Sequence, residues 1–375
     1  MKYLFAAICS LQVLTVMAQK DYYMLVGTYT GAGSHGIYVY DFNNADGSTA
    51  VVDSARADNP SFLAIAPGEN YVYAVSETAG AGAKGGKLAS FSFDRRSGKL
   101  AALNQQSSAG NNPCYVSAHK NGKWVFAGNY SSGSLAVLPV SREGMLGAPV
   151  TSITHNGRSV NTERQNEPHV HATVLSPDNN FLFVPDLGMD KLVGYRINKK
   201  TGALTNYSTT LTKPGSGPRH LDFHPNRKFA YLVEELTGGI SVYQFAKKTG
   251  KLQLQQNIST LPPEYLGYAG SADVHVSPDG KFLYASNRGE SNTIAIFSID
   301  AKTGLLTAIG HQSTLGKTPR NFNFDPSGNF LLVANQNSDA IVVFKVNKET
   351  GMLTDTGKRI SLSRPVCIKW IAKAK

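Results

Sequence analysis

One pattern recurs six times along this 375-residue chain at a spacing of roughly 50 residues, and a repeat of that length leaves few architectures open. Each unit begins with an alternating apolar stretch that runs into a short polar turn, at residues 67–70, 120–123, 177–180, 225–228, 278–281 and 326–329. Proline sets the first dihedral of five of these turns, and Asn, Asp or Gly tolerates the unusual ones that follow. A second stretch comes next, then a third such as 241–245 or 294–297. A glycine turn (97–100, 201–204, 249–252, 303–306, 350–353) then leads into a fourth. Period-2 alternation of β-branched and aromatic residues between such turns means strands. Four short antiparallel strands per unit make a propeller blade.

Counting back from each turn puts the unit starts at Pro60, Pro113, Val170, Pro218, Ser271 and Pro319, with Pro365 opening a seventh unit. Only one strand, 366–371, follows Pro365. The segments 22–28, 36–43 and 50–57 supply the other three if the chain closes on itself, which leaves no free sheet edge. The expected fold is therefore all-β: a seven-bladed propeller over residues 19–375, closed by pairing N- and C-terminal strands in one blade. An open β-solenoid, the competing architecture, gives the complementary ends no purpose.

Residues 1–18 read as a cleaved targeting segment: Lys2 gives a positive start, 3–16 is mostly apolar, and Val16-Met17-Ala18 resembles a small-residue cleavage site. The protein is expected to be exported, periplasmic or extracellular. The apolar run is short for a bilayer span, and no later segment reads as transmembrane. Beyond Cys9 in that run, Cys114 and Cys367 are too few for a disulfide scaffold and lack metal-ligand spacing, so they read as packed thiols. No metal or cofactor is expected. The net charge of +11 suits an anionic ligand, yet Lys and Arg are scattered without a run or stripe, which argues against nucleic acid. A monomer or weak homo-oligomer acting on a small molecule is expected.

In an antiparallel hairpin the start of strand one and the end of strand two share a side, so all blades present these positions at one channel mouth. The last residue of strand two is polar throughout: Ser76, Asn129, Asp186, Glu234, Asn287, Asn335. Its recurrence reads as satisfaction of loop backbone groups. One position later the set diverges into Glu77, Tyr130, Leu187, Glu235, Arg288 and Gln336. Just after the unit starts stand Ser61, Cys114, His171, Arg219, Ala272, Arg320 and Val366. A lone histidine or arginine at such a place usually packs or is solvated; here a histidine, three arginines and a carboxylate converge. His169, His220 and His275 reproduce no metal-ligand spacing, and strand alternation turns some of them away from His171. A polar insert, 157–167, precedes His171 as either a lid over the mouth or a tolerated loop.

These pieces, taken together, resemble the propeller lactonases, the seven-bladed 6-phosphogluconolactonases and the related carboxy-muconate cyclase. The resemblance spans nearly the whole mature chain. It rests on Val26-Gly-Thr-Tyr-Thr30, Arg164-Gln165 with Pro168-His-Val-His171, Pro185-Asp-Leu-Gly188, Gly217-Pro-Arg-His-Leu221, Phe223-His-Pro225, Glu234-Glu-Leu236 and Ala285-Ser-Asn-Arg288. It implies His171, Glu235, Arg219 and Arg288 as catalytic residues, with Arg320, Asn321, Asn287, Gln165 and His169 as substrate contacts. Glu234 stands where relatives tend to have Asn, so either carboxylate of the pair is a candidate to face the site.

The reaction implied is hydrolysis of a sugar lactone, in which a base activates water and positive charge meets the developing oxyanion. His171 or Glu235 would be the base; Arg219 and Arg288 would hold the oxyanion and then the product carboxylate. Export favours an unphosphorylated or differently charged aldonolactone over a cytoplasmic sugar phosphate. Two other readings stand beside it: a cyclase-like lyase using the same four residues, and a non-catalytic propeller that binds a ligand or partner. As a mouth-facing residue, Arg219 is expected to matter more for activity than for stability.

Overall fold

The strand pattern closes into a ring. In the computed structural model, which describes residues 21–31, 33–79 and 85–374, seven four-stranded antiparallel sheets stand around a central channel. The targeting segment expected at 1–18 lies outside the described residues. No helix among the described residues is long and apolar enough to cross a membrane.

The blades begin at the strands Leu63–Ile65, Pro113–Ala118, Val174–Leu175, Pro218–Phe223, Ser271–Val276 and Pro319–Phe324. The seventh sheet has the order Pro365–Ala372, Tyr22–Thr28, Gly36–Phe42, Thr49–Arg56. Within it Tyr22 faces Ala372 and Leu25 faces Lys369, so the first strand is paired on both edges and the two chain ends lock each other.

Both turn families do what their sequences call for. In every strand-one turn the third residue (Glu69, Gly122, Asn179, Arg227, Gly280, Gly328) is left-handed, with φ between 56° and 76°. Its N–H donates to the carbonyl three residues back, as from Gly280 to Ser277 O at 2.8 Å. The glycine turns carry a second constraint. Gly304 has φ +74°, and a Cβ on it would lie 2.4 Å from the Phe229 ring of the preceding blade. Glycine is required there for conformation and for close approach together. Gly351 meets Phe282 in the same way, and across the closure Gly47 meets Phe330 and Gly98 meets Tyr23.

The core therefore lies between blades as much as within them. One apolar cluster joins Met24, Val26 and Ile368 of the closing blade to Leu332 and Val343 of its neighbour; another joins Leu25 and Ile371 to Val72 and Phe91 on the other side. Cys367 and Cys114 are free and buried, in keeping with packed thiols.

Deleting residues 366–375 would strip Val366, Ile368 and Ile371, all buried, from both interfaces of the closing blade. At about 2 kcal/mol per buried aliphatic side chain the loss is roughly 6 kcal/mol, comparable to a whole domain's stability. We expect the truncated chain to lose its cooperative thermal transition, measured by circular dichroism; a melting curve like that of the full chain would refute closure by this strand.

Candidate functional site

The residues at the mouth owe their direction to a recurring irregularity at the start of strand one. Pro218 pairs with Glu234 but His220 pairs with Val233, so Arg219 is an extra residue opposite a single step of its partner strand. The same shift sets off Cys114 between Pro113 and Tyr115, and Arg320 between Pro319 and Asn321. In the closing blade it sets off Val366. Such bulges re-aim a side chain, and here they turn one residue per blade into the channel. His171 reaches the same level after an isolated bridge between Val170 and Asp186, its N–H held by Pro185 O at 3.0 Å.

Glu235 is the centre of the cluster. Its Oε2 lies 2.9 Å from Arg219 Nε, 2.9 Å from Arg288 Nη2 and 3.9 Å from His171 Nε2, while Oε1 accepts from Arg164 Nη2 at 2.8 Å. Burial works against its charge, but Arg288, Arg219, His171 and Arg164 together hold the carboxyl well below the usual range. His171 is likewise held well below its ordinary value, by burial first and then by Arg219 and His220, so it is a neutral imidazole at physiological pH. Arg219 Nε and Arg288 Nη2 are buried and, although close to Glu235, make no aligned hydrogen bond among the described residues. Two charged donors thus stand beside a neutral base and an ionised carboxylate.

Glu235, His171, Arg288 and Arg164 wall an open cavity of about 200 Å³ at the mouth, completed by Arg320, Tyr130, Tyr29, Glu77 and Cys114, and Arg219 lies beneath it. Tyr29 donates to Glu77 Oε2 at 2.9 Å, and the Arg320 guanidinium lies 5.4 Å from the Tyr29 ring centre. A larger cleft of about 580 Å³ lies between two blades on the opposite face, among the strand-one turns, and brings together no comparable acid and base.

His171, Glu235, Arg219, Arg288 and Arg320 are brought together; the other expected contacts are not. Asn287 lies at 0% exposure, its Nδ2 donating to Thr260 O at 2.8 Å and its Oδ1 accepting from Ser271 and Thr260 hydroxyls. Asn129 and Asn335 make the matching bond to Ser108 O and Thr314 O, so this is a repeated blade support. Gln165 spends its amide on Leu187 O, Asp190 and the Asn161 N–H. His169 stacks flat on Tyr130 at 4.4 Å, behind the cavity wall. Asn321 lies one layer deeper, bonded to Asp273 and to the Ile368 N–H.

Of the glutamate pair, Glu234 turns into its blade, accepting from Ser241 at 2.6 Å and Thr237 at 3.2 Å, and Glu235 alone faces the cavity. One further expectation is corrected. Arg219 is 1% exposed and among the largest fully buried side chains, so it lies beneath the mouth against Glu235 and supports the fold. His220 is not turned away from His171: the bulge breaks the alternation, and the two rings meet edge to face at 5.3 Å.

Arg164 escaped sequence reading although its neighbour Gln165 was singled out. The insert that carries it acts as a lid in part: Gln165 anchors the loop, and Arg164 leans over the mouth to Glu235 and to the hydroxyls of Tyr130 and Tyr268. The loop's length and polarity were the available signal. Which residue points inward was not.

The sequence profile of the lactonases with a seven-bladed β-propeller matches residues 23–370. A 6-phosphogluconolactonase of Bacillus subtilis is 34% identical over 347 residues, covering 92% of this chain and 97% of the relative. One from Formosa agariphila is 39% identical over 322 residues, covering 84% and 90%. The solved structure of a periplasmic gluconolactonase from Pseudomonas aeruginosa superposes with a TM-score of 0.89 at 37% identity, over 94% of this chain and 100% of that one. On these grounds the chain belongs to the seven-bladed β-propeller lactonase family.

Proposed function

We propose that this protein is a hydrolase that opens the ring ester of an aldonolactone at the mouth of its channel, with His171 as the base and Arg219 and Arg288 as the oxyanion donors. One observation carries the reading: a neutral imidazole and an ionised carboxylate 3.9 Å apart, flanked by two buried guanidinium donors that have no aligned partner. With the lactone carbonyl against those donors, His171 takes a proton from the attacking water. The charge that develops on the carbonyl oxygen meets fixed positive groups that are themselves largely buried. Glu235 is a poor base because three arginines share it; its part is to fix the guanidiniums in place and balance their charge.

We infer further that the substrate is an unphosphorylated lactone and that the protein is exported. The targeting character of residues 1–18 supports this, as does the likeness to a periplasmic gluconolactonase. So does the placing of charge. Of the three arginines that line the cavity, Arg164 and Arg288 are gathered on Glu235, as is Arg219 beneath them, and Arg320 lies on the wall it shares with Glu77, whose carboxylate would oppose a phosphate there.

Three outcomes are expected. Glucono-1,5-lactone should be hydrolysed with a higher kcat/KM than its 6-phosphate, after subtraction of spontaneous opening; preference for the phosphate would remove the second inference, and no hydrolysis of any lactone would remove the first. His171→Ala should lower kcat about 100-fold or more. Arg219→Ala should lose activity and also about 3 kcal/mol of stability, since it strips a partner from a buried ion cluster; unchanged urea unfolding would contradict its structural share.

The pH profile gives an independent check. Because the folded His171 pKa is depressed, its basic form persists into acid, and kcat/KM should stay level from about pH 8 to below the ordinary histidine value of about 6.5. An acid limb centred at that ordinary value would show that His171 is not the base.

A further inference from the structure

Beneath the mouth lies a second, smaller chamber, and the reaction as described gives its His220 no part. Its free volume is about 10 Å³, close to what one water molecule needs. Cys114, His171 and Arg320 form the partition between the two spaces, since they line both. On the inner side stand His220, Arg219, Asn321 and the Ser61 hydroxyl-bearing side chain.

His220 is the distinctive group there. Its Nδ1 lies 2.8 Å from Asp273 Oδ1 and 3.4 Å from Arg219 Nη1; the nearer, acceptor-only carboxylate calls for the proton on Nδ1, which leaves a lone pair on Nε2. Asp273 is itself held, through His275 Nε2 at 3.2 Å and the Asn321 amide. The imidazole is wedged edge-on against the stacked rings of Phe62 and Tyr115. His220 is 6% exposed, and its Nε2 is buried without a hydrogen-bond partner among the described residues. A buried acceptor left bare costs stability, and the chamber beside it has room for one water as donor.

We propose that His220, backed by Asp273, is a positioning residue for lactone opening: it holds one water in the inner chamber and through it receives the proton that His171 takes from the attacking water. This rests on the lactonase reading above. The attacking oxygen bonds to the acyl carbon as one of its protons goes to His171. His171 passes a proton to the chamber water, which gives one of its own to His220 Nε2. When the acyl–oxygen bond of the ring breaks, the same path returns a proton to the leaving ring oxygen, so water is added across the ester and no other reactant is needed.

The path has an electrostatic reason. A protonated His171 faces Arg219 and Arg320 with the Glu235 carboxylate 3.9 Å away and shared among arginines, whereas a protonated His220 has the Asp273 carboxylate 2.8 Å from its other nitrogen. Burial and Arg219 hold His220 down at about 4 against the pull of Asp273, so at neutral pH it waits as the free base.

The test uses glucono-1,5-lactone and the full chain. In His220→Gln and Asp273→Asn, kcat should fall about 100-fold with KM within about twofold. The wild-type solvent-isotope dependence in mixed H2O and D2O should be curved, from several protons in flight, and should become linear in both variants. A folded His220→Gln enzyme with wild-type kcat, or KM and kcat rising and falling together with thermal stability, would overturn the relay while leaving the lactonase reading intact. If neither variant folds, the wild-type isotope dependence decides alone, a linear plot being fatal to the relay. A wild type that opens no lactone would instead remove the reading on which the relay stands.

Discussion

Everything at the mouth depends on the pairing of residues 22–28 with residues 365–372. That contact makes a ring out of seven sheets, and only a ring brings seven strand starts to one axis. Residues as far apart in sequence as Tyr29, His171 and Arg320 share one cavity wall because of it. The contact is also the one place where folding must wait for the last strand, since every other blade is built from a continuous stretch of chain.

The ring in turn permits a charge arrangement that an open surface would not need. Glu235, with a side chain only 5% exposed, could not keep its charge at this depth unaided, and a buried Arg219 would be costly without it. Each stabilises the other, and the cluster as a whole keeps an excess of positive charge. Burial together with that excess holds His171 neutral, and the cluster leaves oriented donors for a developing oxyanion. The same groups thus serve packing and chemistry, which is why Arg219 belongs to both.

The repeat made most of the site legible, because six copies of one unit act as their own comparison. Positions where blades agree, such as Asn129, Asn287 and Asn335, are supports with identical bonds. Positions where they diverge, such as Glu235 and Arg288, reach the cavity. The reading failed where a residue was credited against that logic, as with Asn287. It failed again in the insert, where no period says whether Arg164 or Gln165 points inward. Nor does alternation say which of His169, His220 and His275 meets His171, because the bulge before His220 is set by cross-strand hydrogen bonding and leaves no mark in the local hydrophobic pattern.

The sequence by itself determined the number of blades, the turns between their strands, the closure by complementary ends and the level of the mouth. Those follow from periodicity and turn chemistry, which are local and repeat. Tertiary structure alone decided which of two adjacent glutamates faces inward, that Arg219 is buried, that Arg164 crosses to Glu235, and that His220 and Asp273 meet beneath His171. Those are matters of side-chain direction among residues from different blades, and direction is fixed by bulges, loop anchors and charge partners that exist only once the ring has closed.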